Sequence, residues 1–427
     1  MKNAEMASMP SVAKRSGWYY GWNIVAVCVL SNIAVAAMPI NTLSLFLRPW
    51  SADLHVSIST ILLIGLGGFG VGFALLSPII GIFADKYPAR LLFSVGLIGM
   101  ALFSLAVSLV DASWQIFALY TILLPVFVSC SAAVTANAVV SRWFVQRRGL
   151  ALGLTALGRV TGGIVFPPIV AALMPEFGWR AIWRFSGIII AVVIAPVVIC
   201  VLRDRPTARD GLHYAIGSHS KPLHHASSRT SNLGWWEVFS RRNFWLLLIT
   251  YLPMNALHEV ITHNLVPIAA SHGLSQLTAG NLLALVNCSY ITVTVIAGLL
   301  SDRFGNRLPL SALAVTTAIG GVVLALSQTA PAIAFGVVLI GASGGLWPLL
   351  AAATAVEFGA NHVGRALGLL LLFFPVSIVA PSAVARAQEL TGSYTPGLIG
   401  LAVITLLGGM VCLFMREKTS GSAAVPA

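Results

Sequence analysis

Glu259 stands in the middle of an apolar stretch, "MNALHEVITHN", with Asn255 four residues before it and His263 four residues after it. This spacing puts all three side chains on one face of a helix. A carboxylate beside an imidazole in apolar surroundings can exchange a proton in the physiological range, so the stripe reads as a proton-coupling or ligand-contact site. His258 is turned by about 100° from Glu259; it is grouped with the stripe, although it could simply be packed. His263, near the end of the stretch, suits an interfacial position better than the site. Arg159, in "TALGRVTGG", is the other isolated charge, with Thr155 and Gly163 on its face. Such a guanidinium can receive a carboxylate through two parallel hydrogen bonds, or it can satisfy an internal carboxylate or backbone carbonyls. Asn32, Asn287, Tyr290 and Trp347 are polar or aromatic positions in other apolar stretches. Each is expected either to line a central cavity with Arg159 or to bridge helices.

The elements that must hold these residues follow from composition. Of 427 residues, 58% are hydrophobic and only 9% are Asp, Glu, Lys or Arg, and the mean hydropathy is +0.90. A soluble chain needs more polar residues than this to cover its surface. A bilayer core takes about 20 apolar residues per helix, and twelve such segments can be read: 19–41, 57–80, 91–110, 114–140, 149–173, 181–202, 243–268, 278–300, 308–327, 331–356, 366–388 and 394–415. The expected class is an all-α membrane protein of twelve transmembrane helices in two six-helix bundles. The polar stretch 203–242 separates six spans from six. The organisation expected is a cytoplasmic N-terminus (1–18), an N-terminal bundle (19–202), a cytoplasmic linker (203–242), a C-terminal bundle (243–415) and a cytoplasmic tail (416–427). Trp235 and Trp236 suit an interfacial helix, and the histidines of 213–225 suit a solvated loop better than a metal site. Residues 1–17 show no apolar core ending in a cleavage site, so the first span is expected to stay as an anchor. The five cysteines all lie in apolar segments and read as packing residues.

The net charge of +12 would suggest nucleic acid in a soluble protein. Here the cytoplasmic-loop bias explains it: with both termini cytoplasmic, all of the 25 Lys and Arg except Arg48, Arg159, Arg180, Arg184 and Arg386 fall on one side.

"GIFADKYPAR" at 81–90 is echoed by "GLLSDRFGNR" at 298–307, half a chain later. The copies join spans 2 and 3 and spans 8 and 9. The halves are therefore read as parallel repeats, which places a ligand site between them near the midplane, reached by rocking one half against the other. Gly81 and Gly298 would permit close helix approach. Asp85 and Asp302 would cap a neighbouring helix or pair with an arginine. Arg90, Arg303 and Arg307 would complete latches that break and re-form, with Arg142 after span 4 and Glu357 and Arg365 after span 10 as their partners.

The paired motif in a six-plus-six chain resembles the major facilitator superfamily, over about Tyr19 to Met415. Pro88 departs from the family pattern, in which a glycine is usual; Gly305 in the second copy conforms. "YYGWNIVAV" (19–27), "SRWFVQRRGLALGLTALG" (141–158), "GWRAIWR" (178–184), "LRDRP" (202–206) and "HNLVPIAASHGLS" resemble the bacterial monocarboxylate-transporter-like and oxalate:formate-antiporter-like branch. The resemblance implies alternating-access movement of a mono- or dicarboxylate, by proton coupling or exchange. It also implies a cation in span 8, but here span 8 has none, span 11 has none before Arg386 and span 1 has no lysine. Arg159 is the candidate replacement. Otherwise the solute is larger, neutral or partly anionic, such as a siderophore or drug, although span 4 lacks the mid-helix arginine of many drug exporters.

No HExxH, GxSxG or Walker motif is present, which argues against an enzyme or an ATP-driven pump. No cofactor, metal or nucleic acid is expected. The expected partners are a small solute, protons and the lipid of an inner or plasma membrane, around a monomer.

Overall fold

The computed structural model describes residues 19–144, 148–204, 235–358 and 363–415. Eleven helices among these residues are long and apolar enough to cross a membrane. One of them, Leu150–Val201, has 52 residues, or about 78 Å of helix against a bilayer core of about 30 Å. Gly178, at φ 70°, breaks it into two spans, so the membrane fold has twelve. We number them α1 (Gly21–Asn41), α2 (Ile58–Leu76), α3 (Ala89–Val107), α4 (Ser113–Trp143), α5 (150–177), α6 (179–201), α7 (Arg242–Ser271), α8 (Gln276–Ser301), α9 (Arg307–Leu326), α10 (Ala330–Phe358), α11 (Gly368–Thr391) and α12 (Thr395–Cys412). α1 is followed by a further helix, Leu43–Leu54. α1–α6 and α7–α12 form two six-helix bundles. A short helix, Trp235–Ser240, precedes α7 and carries the exposed Trp236.

Tyr19 donates its hydroxyl proton to the carbonyl of Trp143, whose indole N–H donates to Arg203 O at 3.0 Å. The starts of α1 and the ends of α4 and α6 therefore share one face of the fold, called the terminal face here.

On the opposite face, the "GWRAIWR" segment works as a clamp. Positive φ at Gly178 turns the chain between α5 and α6, a conformation that side chains resist. Trp179 Nε1 and Arg180 Nη1 then donate to Asp53 Oδ2 at 2.9 and 2.5 Å, and Arg180 Nη2 donates to Val110 O at 3.1 Å. Beneath them Trp183 stacks on Trp50 at 6.1 Å, with Phe46 5.3 Å from Trp183.

The bundles repeat one another in detail. In the first, Asn41 at the end of α1 donates to the Arg159 carbonyl of α5 at 2.7 Å. In the second, Asn264 near the end of α7 donates to the Pro381 carbonyl of α11 at 3.1 Å. In each bundle an asparagine near the end of the first helix thus reaches a backbone carbonyl of the fifth.

The bundles meet along α5–α8 and α2–α11. A Cβ on Gly280 (α8) would sit 2.9 Å from the Pro167 carbonyl of α5, and one on Gly70 (α2) 2.5 Å from Ile378 of α11. Backbone therefore approaches backbone at the α5–α8 seam, as small residues allow in membranes, while at the α2–α11 seam the Ile378 side chain packs into the space that Gly70 leaves.

The loop devices depart from expectation in several places. A Cβ on Gly81 would meet only Val134, at 3.9 Å, so no close approach requires that glycine. The α3 N-terminus is capped by Asp204, which accepts from Ala89 N and, at 3.3 Å, from Arg90 N; the Arg90 side chain is exposed. Arg142 is the residue that reaches a C-terminal carbonyl, donating to Ala84 O at 2.8 Å. Glu357 stays within its own bundle, accepting from Asn243 Nδ2 at 2.7 Å and from Arg241 Nη1 at 3.4 Å. Arg303 is exposed, over the Phe304 ring, and the Arg307 carbonyl receives the Cys412 thiol. The side chains of Asp85, Gly298, Asp302 and Arg365 lie outside the described residues, as do 1–18, 205–234 with its histidines, and 416–427.

Candidate functional site

A cavity of about 430 Å³ lies between the bundles. The α2–α11 contact at Gly70 and Ile378 forms part of its wall. Asn32, Arg159, Glu259, His263 and Trp347 line it. Three of these come from the second bundle and two from the first, so the arrangement exists only when the halves are docked.

Arg159 is held by its backbone. Gly158 and Gly162 bring α5 against α1, where a Cβ on Gly158 would lie 2.5 Å from Val29 O. Among the described residues, no group lies within hydrogen-bond or ion-pair distance of the Arg159 guanidinium, and the residue is exposed to the cavity. Glu259 is 6% exposed and its Oε2 is 3.1 Å from His263 Nε2. His263 Nδ1 is buried with no partner among the described residues. The His263 ring can therefore donate through Nε2 to the carboxylate, which orients both. Asn32 Nδ2 bonds back to Cys28 O at 2.9 Å, and Trp347 packs edge-on against Tyr251 at 5.6 Å.

The other residues expected at the cavity are elsewhere. Asn255 leaves the stripe and ties α7 to α11 by donating to Ser377 Oγ at 2.9 Å. Asn287 bridges the bundles, donating to Gly163 O at 3.3 Å and to Leu283 O at 2.9 Å. His258 is wedged between α8 and α10: its Nδ1 is 2.9 Å from Ser343 Oγ, and its ring is 4.9 Å from that of Tyr290. Neither His258 nor Tyr290 nor Asn287 lines the cavity. The reason is rotation: 100° around α7 carries His258 from the bundle interface to the interior of its own bundle.

The sequence reading missed the apolar wall. Phe69 and Phe73 of α2 and Leu371, Leu372 and Phe374 of α11 line the cavity, and in the sequence they are indistinguishable from lipid-facing residues. It also missed Glu389, whose Oε1 and Oε2 accept from Ser59 N and Oγ at 3.0 and 2.8 Å across the bundles.

The sequence profile described as Major Facilitator Superfamily matches residues 25–265 and 259–427, two consecutive stretches that cover nearly the whole chain. The chain belongs to the Major Facilitator Superfamily. It is similar to the MFS transporter asaE of Aspergillus flavus, at 26% identity over 87% of this chain and 80% of that protein. It is similar to the oxalate:formate antiporter of Oxalobacter formigenes, at 25% identity over 95% and 85%, and to the fujikurins efflux protein of Gibberella fujikuroi, at 23% over 82% and 71%. The fold matches a bacterial homologue of the human lysosomal transporter Spinster, solved inward-facing and unoccupied, with a TM-score of 0.73 at 14% identity, covering 93% of this chain and 97% of that one. This superfamily member is thus a multi-pass transporter and not an enzyme, and the cavity between its bundles is its candidate solute site.

Proposed function

We propose that this transporter moves an organic acid by alternating access, with proton coupling or exchange as the driving process. The observation that supports the reading is that Arg159, whose guanidinium has no hydrogen-bond or ion-pair partner among the described residues, faces the same cavity as the Glu259–His263 pair. An ion in low-dielectric surroundings needs a counter-charge. Arg159 offers one to a solute carboxylate. While Glu259 is ionised it competes with that carboxylate for the arginine's field; a proton on Glu259 ends the competition. Proton and anion binding then favour each other, which is the coupling that symport or exchange requires. The proposed setting is an inner or plasma membrane, with the terminal face cytoplasmic and the chain working as a monomer. The runner-up solute, a larger amphipathic compound, is favoured by the apolar wall on α2 and α11.

The test is a thermal-shift series on the purified protein with carboxylates, siderophores and neutral drugs, for wild type and Arg159→Ala. A ligand of the folded state raises the melting temperature by mass action. A carboxylate should stabilise wild type and lose about 100-fold in affinity in the variant. Equal stabilisation of both forms by neutral compounds alone would refute the organic-acid reading.

A further inference from the structure

The cavity is divided by chemistry. Arg159, Glu259 and His263 come from α5 and α7, while α2 and α11 supply Phe69, Phe73, Leu371, Leu372 and Phe374. From this division, and resting on the organic-acid reading above, we infer that the solute is an amphipathic acid. It carries a single carboxylate on an apolar body the size of a ring or a branched chain.

Three observations support this class over the two- to four-carbon mono- and diacids. The first is size. A cavity of about 430 Å³ falls within the range of roughly 300–1,000 Å³ that accommodates ligands of drug size, and a two-carbon acid would leave most of it to water against apolar walls. The second is the single cation. Arg159 is the only Lys or Arg among the described cavity-lining residues, so a second carboxylate on the solute would meet either the phenyl and leucyl wall or Glu259. Burying a charge without a partner is costly, and facing a like charge adds repulsion. The third is the wall itself. Phe69 is 8% exposed and lies 5.7 Å from Phe73; these rings cannot hydrogen-bond to a polar solute and are matched by apolar surface. Arg159 would thus hold the head of the solute and α2 and α11 its body.

The experiment is calorimetric titration of the full-length protein in detergent with four probes: 3-phenylpropanoate, its neutral amide, acetate and succinate. Binding avoids the passive leak of weak acids that confuses vesicle assays. 3-Phenylpropanoate should bind about 10-fold or more tightly than acetate or succinate, as burial of a phenyl ring implies, and the amide should bind weakly. Phe73→Ser should weaken 3-phenylpropanoate several-fold more than acetate. If that variant fails to fold, the wild-type series decides alone. Acetate or succinate binding as well as 3-phenylpropanoate would overturn the inference and leave the organic-acid reading standing. Amide binding as tight as the acid, or no binding by any acid, would overturn both.

Discussion

Glu389 of α11 accepts two hydrogen bonds from Ser59, one from its backbone N–H at 3.0 Å and one from its hydroxyl at 2.8 Å. The contact joins the two bundles on the face opposite the chain ends. Arg386 adds a bond to the same carboxylate at 3.1 Å. Ser44 Oγ, accepting from Val266 N at 3.2 Å, ties the bundles on that same side. The cavity lies on the terminal side of these ties. The two bundles are therefore closed against each other at Ser59–Glu389.

Glu389→Ala should loosen that closure. Bonds to a charged acceptor are worth about 1.5–3 kcal/mol when buried, and partial exposure brings this pair to about 1 kcal/mol, or roughly a fivefold shift between states. Spin labels at Thr60 and Leu390, with Cys200 and Cys288 replaced, should show a larger population at long distance in the variant. An unchanged distance distribution would make the contact incidental.

Gly280→Ala should cost about 1–3 kcal/mol, because the new Cβ would lie 2.7 Å from Ala171 Cβ and 2.9 Å from the Pro167 carbonyl, and backbone cannot give way as a side-chain tip can. Gly400→Ala is the control: nothing lies within 4 Å of its Cβ position, and a helical alanine there should be neutral or stabilising. Melting temperatures that fall equally in both would show that the α5–α8 seam is not tight.

Arg159→Ala should leave the melting temperature of the ligand-free protein near that of wild type, because no ion pair of the guanidinium is lost among the described residues. A large fall would assign the residue to structure.

Asp53 gives the fold a pH dependence outside the membrane. The Trp179 indole, then Arg180, hold its carboxyl below the ordinary value of 3.8. A depressed folded value contributes stability above the unfolded value that is lost as pH falls through the folded one. Asp53→Asn should therefore melt below wild type at pH 6, with the gap closing as pH drops below about 4. A gap that is constant with pH would point to packing and not to charge. Both partners are well exposed, so the effect should be small.

Much of this transporter is dictated by sequence. Hydropathy decides twelve spans because unpaired backbone is intolerable in lipid, and only helices that satisfy themselves can cross it. The repeated decapeptide reveals two equivalent halves because equivalent turns need equivalent residues. Arg159 and Glu259 stand out because a charge in a span is costly and rare. Only the tertiary structure decided which polar residues share a cavity. Asn287 and Asn255 have the composition of site residues, yet they spend their amides on Gly163 O and Ser377 Oγ. His258 differs from Glu259 by one residue and faces a different neighbour. Phe73 and Leu372 look like lipid-facing residues, because an apolar side chain carries no mark of whether lipid, protein or solute covers it. Ser59 and Glu389 are 330 positions apart, and their contact exists only where the two bundles lean together.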